Sequence, residues 1–489
     1  MGLRSSPTKR ALLIGGALLL VAVLRFMWLG HESLWVDEAA SVLQSRGDLG
    51  TLFRLTAADN YPPLHNLVLW VVIHLFGDGE LAVRVPSALA GIATAWLAGR
   101  IALRLYGPRA EPIAIVLVGV SLLHLQYAQE ARMYALLSAT AAWSVLALLR
   151  CLERLTARRA VAWVVATTLC LYTHYYAVFI VVAEAAFVLL ERWRTEPENR
   201  PNLSRWLALN MIVGVLFLPW LSTMLARVGV IASDFWIKRP SPRFDAASDY
   251  FALAWPLALA LIICAVLPRL PFVDRERSAP TARASRLLLL WWLTTLVVPF
   301  VLSFVIQPFL IIRYTLAGTT AAYILVAGGV RRLGLRVRYE LILVLLLVLL
   351  QLPMLRAYYQ REKRPPWRDV AALIAPALGP GDRVLAWPNY ERTPLAYYLP
   401  AATSIGVLPP LERLEGASGE AYVAKVAHVR GSVWLVEIGQ QDPAGLALIR
   451  AVLARGRTLE RHDAVGKRIT IERYGPPGAR PRTEYNPAP

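Results

Sequence analysis

The stretch ALLIGGALLLVAVLRFMWLG, residues 11–30, decides the fold class because it is an apolar run long enough to cross a lipid bilayer. It follows Lys9 and Arg10, an arrangement that also begins many signal peptides. The run is too long for a signal peptide, and no small-residue cleavage site follows it. We therefore expect a retained membrane helix whose preceding basic residues stay on the cytoplasmic side.

The composition extends this prediction to the whole chain. The protein has 489 residues, of which 57% are hydrophobic, and a formal net charge of +19. Such a charge also occurs in nucleic-acid-binding proteins, but here it lies mostly in short loops between apolar runs, as in the cytoplasmic loops of membrane proteins. We therefore predict a polytopic α-helical membrane protein that contacts membrane lipids and binds no nucleic acid.

The loops alternate in charge, and this alternation assigns each loop to one side of the membrane. Residues 30–84 hold three Lys or Arg against seven Asp or Glu, so we place them outside. Basic loops such as RCLERLTARR, residues 150–159, are placed inside. The result is about 11 spans, with residues 1–357 as a transmembrane domain and the following tail outside. The approximate spans are 11–29, 86–106, 112–126, a fourth that ends at 150, 161–175, 177–191, 206–223, 250–268, 287–308, 315–330 and 341–356.

One apolar run, LHNLVLWVVIHLFG at residues 64–77, is too short for a span. It follows Pro62 and Pro63 and is interrupted by His65 and His74. Runs of this length are more often interfacial or re-entrant than spanning. We predict a juxtamembrane helix on the outer face, because a span here would move every later loop to the opposite side.

The tail changes character and predicts a small α/β domain over residues 358–474, followed by a disordered segment, 475–489. Amphipathic runs predict helices, and short β-branched runs predict strands. The predicted helices are WRDVAALIAPALG (367–379), GEAYVAKVA (419–427) and AGLALIRAVLARG (444–456), and the predicted strands are RVLAWP (383–388), SVWLVEIG (432–439) and KRITIERY (467–474).

Two adjacent acids, Asp37 and Glu38, follow the first span in HESLWVDEAASVL, residues 31–43. One interpretation is structural, since acids in the first turn of a helix stabilise its dipole and AASVLQ continues well as a helix. The other is functional, since partial desolvation near the bilayer surface makes a carboxylate a better general base, and a carboxylate there can also hold a metal ion. The residues alone leave both interpretations open.

A third acid, Glu130 in QYAQEARMY, falls on the same predicted side as Asp37. Either it forms an interfacial ion pair with Arg132 or Arg84, or it helps Asp37 to bind a divalent cation. Mg²⁺ and Mn²⁺ prefer a few carboxylates together with phosphate oxygens of a substrate. The second interpretation therefore predicts a divalent cation as cofactor and a donor that carries phosphate.

Aromatic and basic residues recur at the same predicted boundary. His174 and Tyr175 follow one span, and Arg313 and Tyr314 follow another. Tyrosines at this depth commonly belong to the aromatic belt of a membrane protein, which is the competing interpretation for Tyr175 and Tyr176. Arg313 suits the neutralisation of a phosphodiester at headgroup depth, or an anchor to an anionic lipid.

The histidine of YPPLHN, His65, either contacts a substrate or caps the short helix. The sequence contains no Gly-rich phosphate loop, Walker motif, serine nucleophile elbow or paired CxxC. We therefore expect no nucleotide cofactor, and a substrate that reaches the outer face already activated.

Several motifs, taken together and in order, resemble one family over about residues 10–330. They are LWVDEAASV, the run that begins YPPLHNLVLWVVIHLFG, QYAQEARMYALL and LYTHYYAVF. This pattern resembles the bacterial membrane glycosyltransferases of the GT-C fold, namely the protein mannosyltransferase-like and aminoarabinose transferase-like enzymes that use polyprenyl-phosphate sugars. Where the aminoarabinose transferases carry an acidic–basic pair before the double proline, this chain has Asn60 and Tyr61.

The resemblance implies a transfer, with inversion, of a sugar from a polyprenyl-phosphate donor to a lipid, glycan or protein acceptor at the outer face of the bacterial inner membrane. It implies that Asp37 is the catalytic base, that Glu38 completes the acidic pair, and that Glu130 binds metal with Asp37 or positions the acceptor. The candidate substrate contacts are His65, Arg132, His174, Tyr175, Arg313 and Tyr314.

The alternative function is that of a transporter or flippase for lipid-linked saccharides. Such a protein needs charged residues within its spans or broken helices at the bilayer midplane. Here the acids cluster in outer loops, with Glu184 in the sixth predicted span as the exception. The residues leave the sugar and the acceptor open.

Overall fold

The computed structural model describes residues 7–233, 246–267, 278–306, 308, 310–408, 416–439 and 442–478. Two compact units divide the chain. The helical unit comprises Met1–Leu29 and Gln44–Arg361, and the α/β unit comprises Gly30–Leu43 and Glu362–Pro489. The first outer segment, which the sequence analysis assigned to the transmembrane domain, thus contributes residues 30–43 to the α/β unit. Most of the predicted outer loop SDFWIKRPSPRFD and of the predicted disordered tail lies outside the described residues.

The regular elements of the helical unit are helices. Helix α2 (Val36–Ser45) begins in the α/β unit and ends in the helical unit. Helix α15 is buried along almost its whole length and packs against α5, α6, α8, α13 and α14, so it forms the centre of the unit. The helices are α1 (Pro7–Phe26), α3 (Leu49–Ala57), α4 (Leu64–Phe76), α5 (Glu80–Tyr106), α6 (Ala110–Val120), α7 (Leu122–Ala128), α8 (Tyr134–Glu153), α9 (Ala157–Thr173), α10 (Ala177–Arg194), α11 (Leu203–Ser233), α12 (Ala246–Phe251), α13 (Trp255–Val266), α14 (Ser278–Val305), α15 (Leu316–Arg332), α16 (Val337–Leu349) and α17 (Leu352–Gln360).

Among the described residues, six helices are long and apolar enough to cross a membrane, or seven if α6 and α7 count as one bent span. The prediction of a polytopic helical protein is confirmed, but the count of 11 spans is not. The difference arises because α9 and α15 have only 17 residues, and because α1 and α10 carry charged residues along their length. The six helices fall within Glu80–Tyr106, Tyr134–Glu153, Leu203–Ala226, Asp249–Val266, Ala282–Val305 and Val337–Gln360.

The bend between α6 and α7, which is 66°, has a local cause. The buried side chain of Arg25 donates hydrogen bonds to the carbonyl oxygens of Val118, at 3.1 Å, and of Gly119. These carbonyls end α6 and would otherwise lack partners in an apolar environment. A Cβ at Gly119 would approach Val21 to 2.6 Å, so glycine allows α1 to pack closely at this point.

Ion pairs join the helix ends that carry the basic loops. Glu111 of α6 pairs with Arg100 of α5 at 3.0 Å, and Glu191 of α10 pairs with Arg286 of α14 at 2.6 Å. Further pairs of the same kind are Arg104–Glu153 and Arg331–Glu340. Loops that the charge alternation placed on one side therefore meet at one end of the helical unit.

The short apolar run forms a separate helix, α4, of 13 residues, as predicted. It packs against α5 and α9, while Leu75 and Phe76 at its end are exposed. The cap position is Pro63, which makes no side-chain hydrogen bond to the helix. The capping role considered for His65 is therefore not what starts this helix.

The α/β unit is a five-stranded sheet with helices on both faces. The strand order is β2–β1–β3–β5–β4, in which β1 is parallel to β2 and β3, and β5 is antiparallel to β3 and β4. The strands are β1 (Arg383–Trp387), β2 (Ser404–Gly406), β3 (Val433–Ile438), β4 (Leu459–Val465) and β5 (Ile469–Tyr474), and the helices are α18 (Trp367–Ile374), α19 (Arg392–Tyr398), α20 (Gly416–Ala427) and α21 (Pro443–Ala454).

Alternation along β1 explains the two layers of this unit. Val384 and Ala386 pack with α18 and α19 on one face, whereas Leu385 and Trp387 pack with α20 and α21 on the other. The prediction found β1, β3, β5 and three helices but missed α19, β2 and β4. Strand β4 is largely exposed and β2 has only three residues, so neither has a clear hydrophobic pattern.

Candidate active site

The α/β unit holds two of the three predicted acids. Asp37 and Glu38 lie in the first turn of α2, as the structural interpretation of these acids requires. The carbonyl oxygen of Asp37 accepts a hydrogen bond from the Ser41 hydroxyl at 3.0 Å, and Asp37 itself is half-buried. Glu38 is fully buried. The two neighbours therefore differ in exposure, and only Asp37 is accessible to a substrate.

The Glu38 carboxylate is engaged in holding α2. The guanidinium of Arg364 donates a hydrogen bond to Oε2, and the Trp35 backbone N–H donates to the same oxygen at 3.4 Å. A glutamate at this position that reaches back to the start of its own helix is half of a capping box. Arg364 compensates the buried negative charge of Glu38. Glu38 is therefore suited to position its neighbour, Asp37.

Further hydrogen bonds fix residues 30–43 within the α/β unit. The Glu32 carboxylate accepts from the Lys363 backbone N–H at 2.9 Å, and the Tyr398 hydroxyl accepts from the Leu34 backbone N–H at 2.6 Å. Tyr398 ends α19, which follows the carboxyl end of β1. Asp37 is thus held at a sheet edge of the kind where α/β domains commonly place their sites.

A carboxyl group that the sequence analysis missed lies near Asp37. Glu391 sits in the turn between β1 and α19, is only 8% exposed, and its Oε2 has no hydrogen-bond partner in the described part of the chain. Burial, and then the charge of Asp37, raise the pKa of Glu391 to about 7. Unpaired acids with raised pKa values concentrate at functional sites.

The helical unit holds a compact aromatic cluster, which we define as Tyr61, Tyr134, His174, Tyr176 and Tyr314. The ring centroids of His174 and Tyr314 are 4.8 Å apart, those of Tyr176 and Tyr314 are 5.1 Å apart, and those of Tyr61 and His174 are 5.5 Å apart. The hydroxyl oxygens of Tyr61 and Tyr314 are separated by 3.4 Å. The loop that contains His174 and Tyr176 and the loop that contains Tyr314 each follow a predicted span. They therefore meet at this cluster, together with Tyr61, which precedes the double proline.

Two arginines lie over these rings. The Cζ of Arg132 is 4.8 Å from the ring centroid of Tyr61, and the Cζ of Arg313 is 5.6 Å from that of Tyr134 and 5.7 Å from that of Tyr314. Such distances are within the range of favourable cation–π contacts. The cluster consequently presents two fixed cations beside aromatic surfaces.

His174 adds a hydrogen-bond donor to the aromatic cluster. Its Nδ1 accepts from the backbone N–H of Tyr176 at 3.0 Å, which assigns the proton of the neutral ring to Nε2. Nε2 is buried and has no hydrogen-bond partner in the described ranges. The group is suited to donate to an oxygen of a bound ligand.

The remaining predicted residues, Glu130, Tyr175 and His65, are not members of the aromatic cluster. Glu130 is buried in the tight turn before α8, where its carbonyl accepts from the Arg132 backbone N–H at 2.7 Å. Tyr175 accepts instead from the Trp220 indole N–H at 3.1 Å, and its neighbour Tyr176 takes the place in the aromatic cluster. His65 is buried in the first turn of α4.

Tyr61 and Tyr134 were not among the residues predicted from sequence, and for Tyr176 the aromatic belt was the competing interpretation. Both Tyr61 and Tyr134 stand inside motifs that carried the family resemblance, and this was the signal available. Nothing local in the sequence marked them, because their partners lie in distant segments.

The structure offers limited support for a metal centre. Within the described residues, no three His, Cys, Asp or Glu side chains come together as a metal site requires. The predicted ligands Asp37 and Glu130 belong to different units. Neither carboxylate alone makes a metal site, so a cation bound at either one would take most of its ligands from substrate phosphate and water.

Comparison with known proteins agrees with the fold and the motifs. Residues 60–223 match the sequence model of the dolichyl-phosphate-mannose-protein mannosyltransferase family. No curated protein sequence is similar enough to count as a match. Among solved structures, ArnT from Cupriavidus metallidurans in the apo state aligns with a TM-score of 0.62 at 15% identity, over 96% of this chain and 98% of that chain.

Two ligand-bound structures are similar as well. ArnT from Cupriavidus metallidurans bound to undecaprenyl phosphate aligns with a TM-score of 0.58 at 15% identity, over 96% of this chain and 98% of that chain. AglB from Archaeoglobus fulgidus, an oligosaccharyltransferase in complex with an inhibitory peptide and a dolichol-phosphate, aligns with a TM-score of 0.55 at 12% identity, over 92% of this chain and 73% of that chain.

These findings define the class first: the protein is a multi-pass membrane protein with the GT-C glycosyltransferase fold. Within that fold, residues 60–223 match the mannosyltransferase family model and 96% of the chain aligns with ArnT, in agreement with the motifs.

Proposed function

We propose that the protein transfers a sugar from a polyprenyl-phosphate donor to a hydroxyl group of a lipid, glycan or protein acceptor. The observation that carries this proposal is the convergence of Arg132, Arg313 and the Nε2–H of His174 on one aromatic cluster. Two cations and a neutral donor match the charge and the oxygen atoms of the donor's phosphodiester and of the phosphate monoester that leaves. The ligands named for the ArnT and AglB structures, undecaprenyl phosphate and dolichol-phosphate, support the donor class.

The aromatic cluster would recognise the remainder of the donor. Tyrosine rings pack against the apolar faces of sugars and prenyl chains, and their hydroxyl groups are available to sugar oxygens. The hydroxyl groups of Tyr61 and Tyr314 approach each other, and the two arginines lie over the rings of these tyrosines. Donor binding would therefore rest on the helical unit.

The transfer follows from the charges of the reacting groups. The acceptor oxygen attacks the anomeric carbon, the bond from that carbon to the phosphate oxygen breaks, and the electron pair of the bond leaves with polyprenyl phosphate. Arg132 and Arg313 stabilise the negative charge that develops on the leaving phosphate. The Asp37 carboxylate accepts the proton of the acceptor hydroxyl, which avoids a charged oxonium product. A single displacement of this kind inverts the anomeric configuration.

The other acids take supporting roles in this proposal. Glu38, buried and paired with Arg364, fixes the first turn of α2 and so orients Asp37. Glu130 shares a tight turn with Arg132 and sets the position of that arginine. A divalent cation, if the reaction uses one, would screen the donor phosphate.

The site would lie at the outer face of the bacterial inner membrane, with the α/β unit in the periplasm. The charge alternation of the loops supports this orientation, because basic loops are retained in the cytoplasm. A reporter that is active only in the cytoplasm, fused after residue 357, should be inactive. An active fusion would reverse the proposed orientation.

The decisive experiment measures release of free polyprenyl phosphate. Purified protein is given a panel of polyprenyl-phosphate sugars with a membrane extract as the source of acceptor. The wild type should release polyprenyl phosphate from one donor, and Asp37→Asn should release about 1000-fold less, as expected for loss of a general base. Asp78→Asn changes an exposed acid of the same outer segment and should keep wild-type activity.

No release from any donor by folded wild-type protein would remove the proposal. Equal activity of Asp37→Asn and the wild type would leave a transferase but remove Asp37 as its base. Transport of the intact donor across vesicle membranes without release would instead establish the transporter alternative.

A further inference from the structure

A basic cavity lies at the end of the helical unit where the ion pairs join the helices, and none of the candidate site residues lines it. Its volume is about 350 Å³. Four arginines from three helices line the cavity, together with Thr156 and two alanines: Arg104 of α5, Arg150 of α8, and Arg158 and Arg159 of α9. We call it the arginine cavity.

Two of these arginines have structural partners. Arg104 pairs with Glu153, and Arg159 lies 3.7 Å from the same carboxylate. Arg159 also donates to the carbonyl oxygens of Arg150 and Arg154, at 2.6 and 3.2 Å, which satisfies the end of α8. Their presence is therefore explained by the packing of α5, α8 and α9.

The other two are not explained in this way. In the described part of the chain, Arg150 and Arg158 form no ion pair. Arg158 lies in the first turn of α9, where a positive charge opposes the helix dipole. Four like charges around one cavity repel each other. Glu153, the acid that pairs with Arg104 and Arg159, is 46% exposed, so solvent weakens its attraction to these arginines.

Other arginines at this end of the unit provide the comparison. Arg10 and Arg100 share Glu111, whose side chain is 1% exposed, and Arg283 and Arg286 share Glu191, whose side chain is 5% exposed. There, two cations surround one buried acid. The arginine cavity has twice as many cations near one exposed acid, so its net charge is positive.

From this charge balance, we propose that the arginine cavity binds a phosphate group, carried either by the headgroup of an anionic lipid or by a soluble phosphate compound. Arginine is the side chain best suited to bidentate contacts with phosphate. The cavity opens among helix ends that the basic loops place at a membrane surface, where anionic headgroups are concentrated. The site is separate from the proposed transfer reaction, and its test does not depend on sugar transfer.

The test measures the thermal unfolding midpoint of the full-length protein in a neutral detergent. Phosphatidylglycerol, phosphatidylcholine and inorganic phosphate are titrated separately. Phosphatidylglycerol should raise the midpoint of the wild type by about 5 °C at a large excess over its dissociation constant, and phosphatidylcholine should not. A shift with millimolar inorganic phosphate as well would identify the phosphate group itself as the ligand and admit a soluble source.

The double variant Arg150→Gln/Arg158→Gln should lose at least half of this shift. The matched control, Arg109→Gln/Arg194→Gln, removes two exposed arginines outside the cavity and should retain it. If both double variants lose the shift in unfolding midpoint equally, the shift is due to general surface charge. If phosphatidylglycerol causes no shift in the wild type, the site is excluded. If the double variant fails to fold, Arg158→Gln alone changes an exposed residue and should still lose part of the shift.

Discussion

The two units differ in the charged residues that the proposed reaction uses. In the helical unit, Arg132 and Arg313 lie over an aromatic cluster that contains a neutral histidine donor. In the α/β unit, Asp37 and Glu391 are two carboxyl groups close enough for the charge of one to affect the other. The first set suits an anionic leaving group, and the second suits the removal of a proton.

In the proposed reaction, donor recognition and acceptor activation would therefore depend on separate parts of the chain. Each unit has its own hydrophobic core, so the residues of one can be altered without unpacking the other. The acids of the α/β unit also divide by role, since Glu38 has a compensating arginine and Glu391 has no hydrogen bond to one of its oxygens within the described residues. The predictions below test these contrasts.

The largest expected effect on stability concerns Arg364. Arg364→Leu leaves the Glu38 carboxylate buried without its compensating charge, which should destabilise the α/β unit by about 3 kcal/mol. Hydrogen exchange in residues 36–43 should report the loss as faster exchange. The double variant Glu38→Leu/Arg364→Leu removes both charges and should recover much of the stability; if it is no more stable than Arg364→Leu alone, the pair is not what holds α2.

A kinetic prediction tests the cations of the helical unit. Arg313→Gln should raise the KM for the polyprenyl-phosphate donor by about 30-fold, because it removes one charge-assisted contact to the phosphate. Tyr175→Phe is the matched control, since Tyr175 bonds to Trp220 and should leave this KM unchanged. If Arg313→Gln raised only the KM for the acceptor, this would contradict the proposal that the helical unit binds the donor.

These residues show what the sequence could and could not reveal. The helices and three of the strands follow from hydrophobic periodicity, and Asp37, Glu130, His174 and Arg313 stand in motifs or at span ends. The contacts among them depend on tertiary structure. Arg364 and Glu38 are 326 positions apart, and Tyr61 and Tyr314 are 253 apart.

Glu391 gives the clearest example of what periodicity misses. Its position in a turn after β1 resembles that of many exposed acids, and only the folded α/β unit buries it near Asp37. Likewise, Tyr175 and Tyr176 are indistinguishable in sequence as interface tyrosines. The turn geometry after α9 decides which one enters the aromatic cluster.

A smaller effect is expected from the charge of Glu391. Because its pKa is raised from 4.5 to about 7 in the folded protein, the folded state retains a proton that the unfolded state loses between these values. Stability should therefore fall as the pH rises from about 4.5 to 7. Glu391→Gln should stabilise the α/β unit by about 2 kcal/mol at pH 8 and by much less at pH 5.

Hydrogen exchange in residues 383–399, measured at both pH values, provides the readout. The control is Glu420→Gln, whose carboxylate pairs with Arg455 and whose pKa this pairing lowers, so its removal should not stabilise the protein at pH 8. If Glu391→Gln and the wild type are equally stable at pH 8, the surroundings of Glu391 do not disfavour its ionised carboxylate.

The smallest expected effect belongs to Glu184, the acid that lies inside a predicted span. Ser144 donates to its Oε1 at 2.7 Å and the Trp163 indole N–H donates to its Oε2 at 3.0 Å, so both carboxylate oxygens serve to join α8, α9 and α10. A glutamine retains one acceptor oxygen at the same position. Glu184→Gln should therefore keep release of polyprenyl phosphate within about twofold of the wild type, since its partners Ser144 and Trp163 take no part in the proposed transfer. A transporter that used this acid as a relay would lose its activity in the same variant. The measured rate thus separates an acid that packs helices from one that serves a pathway through the membrane.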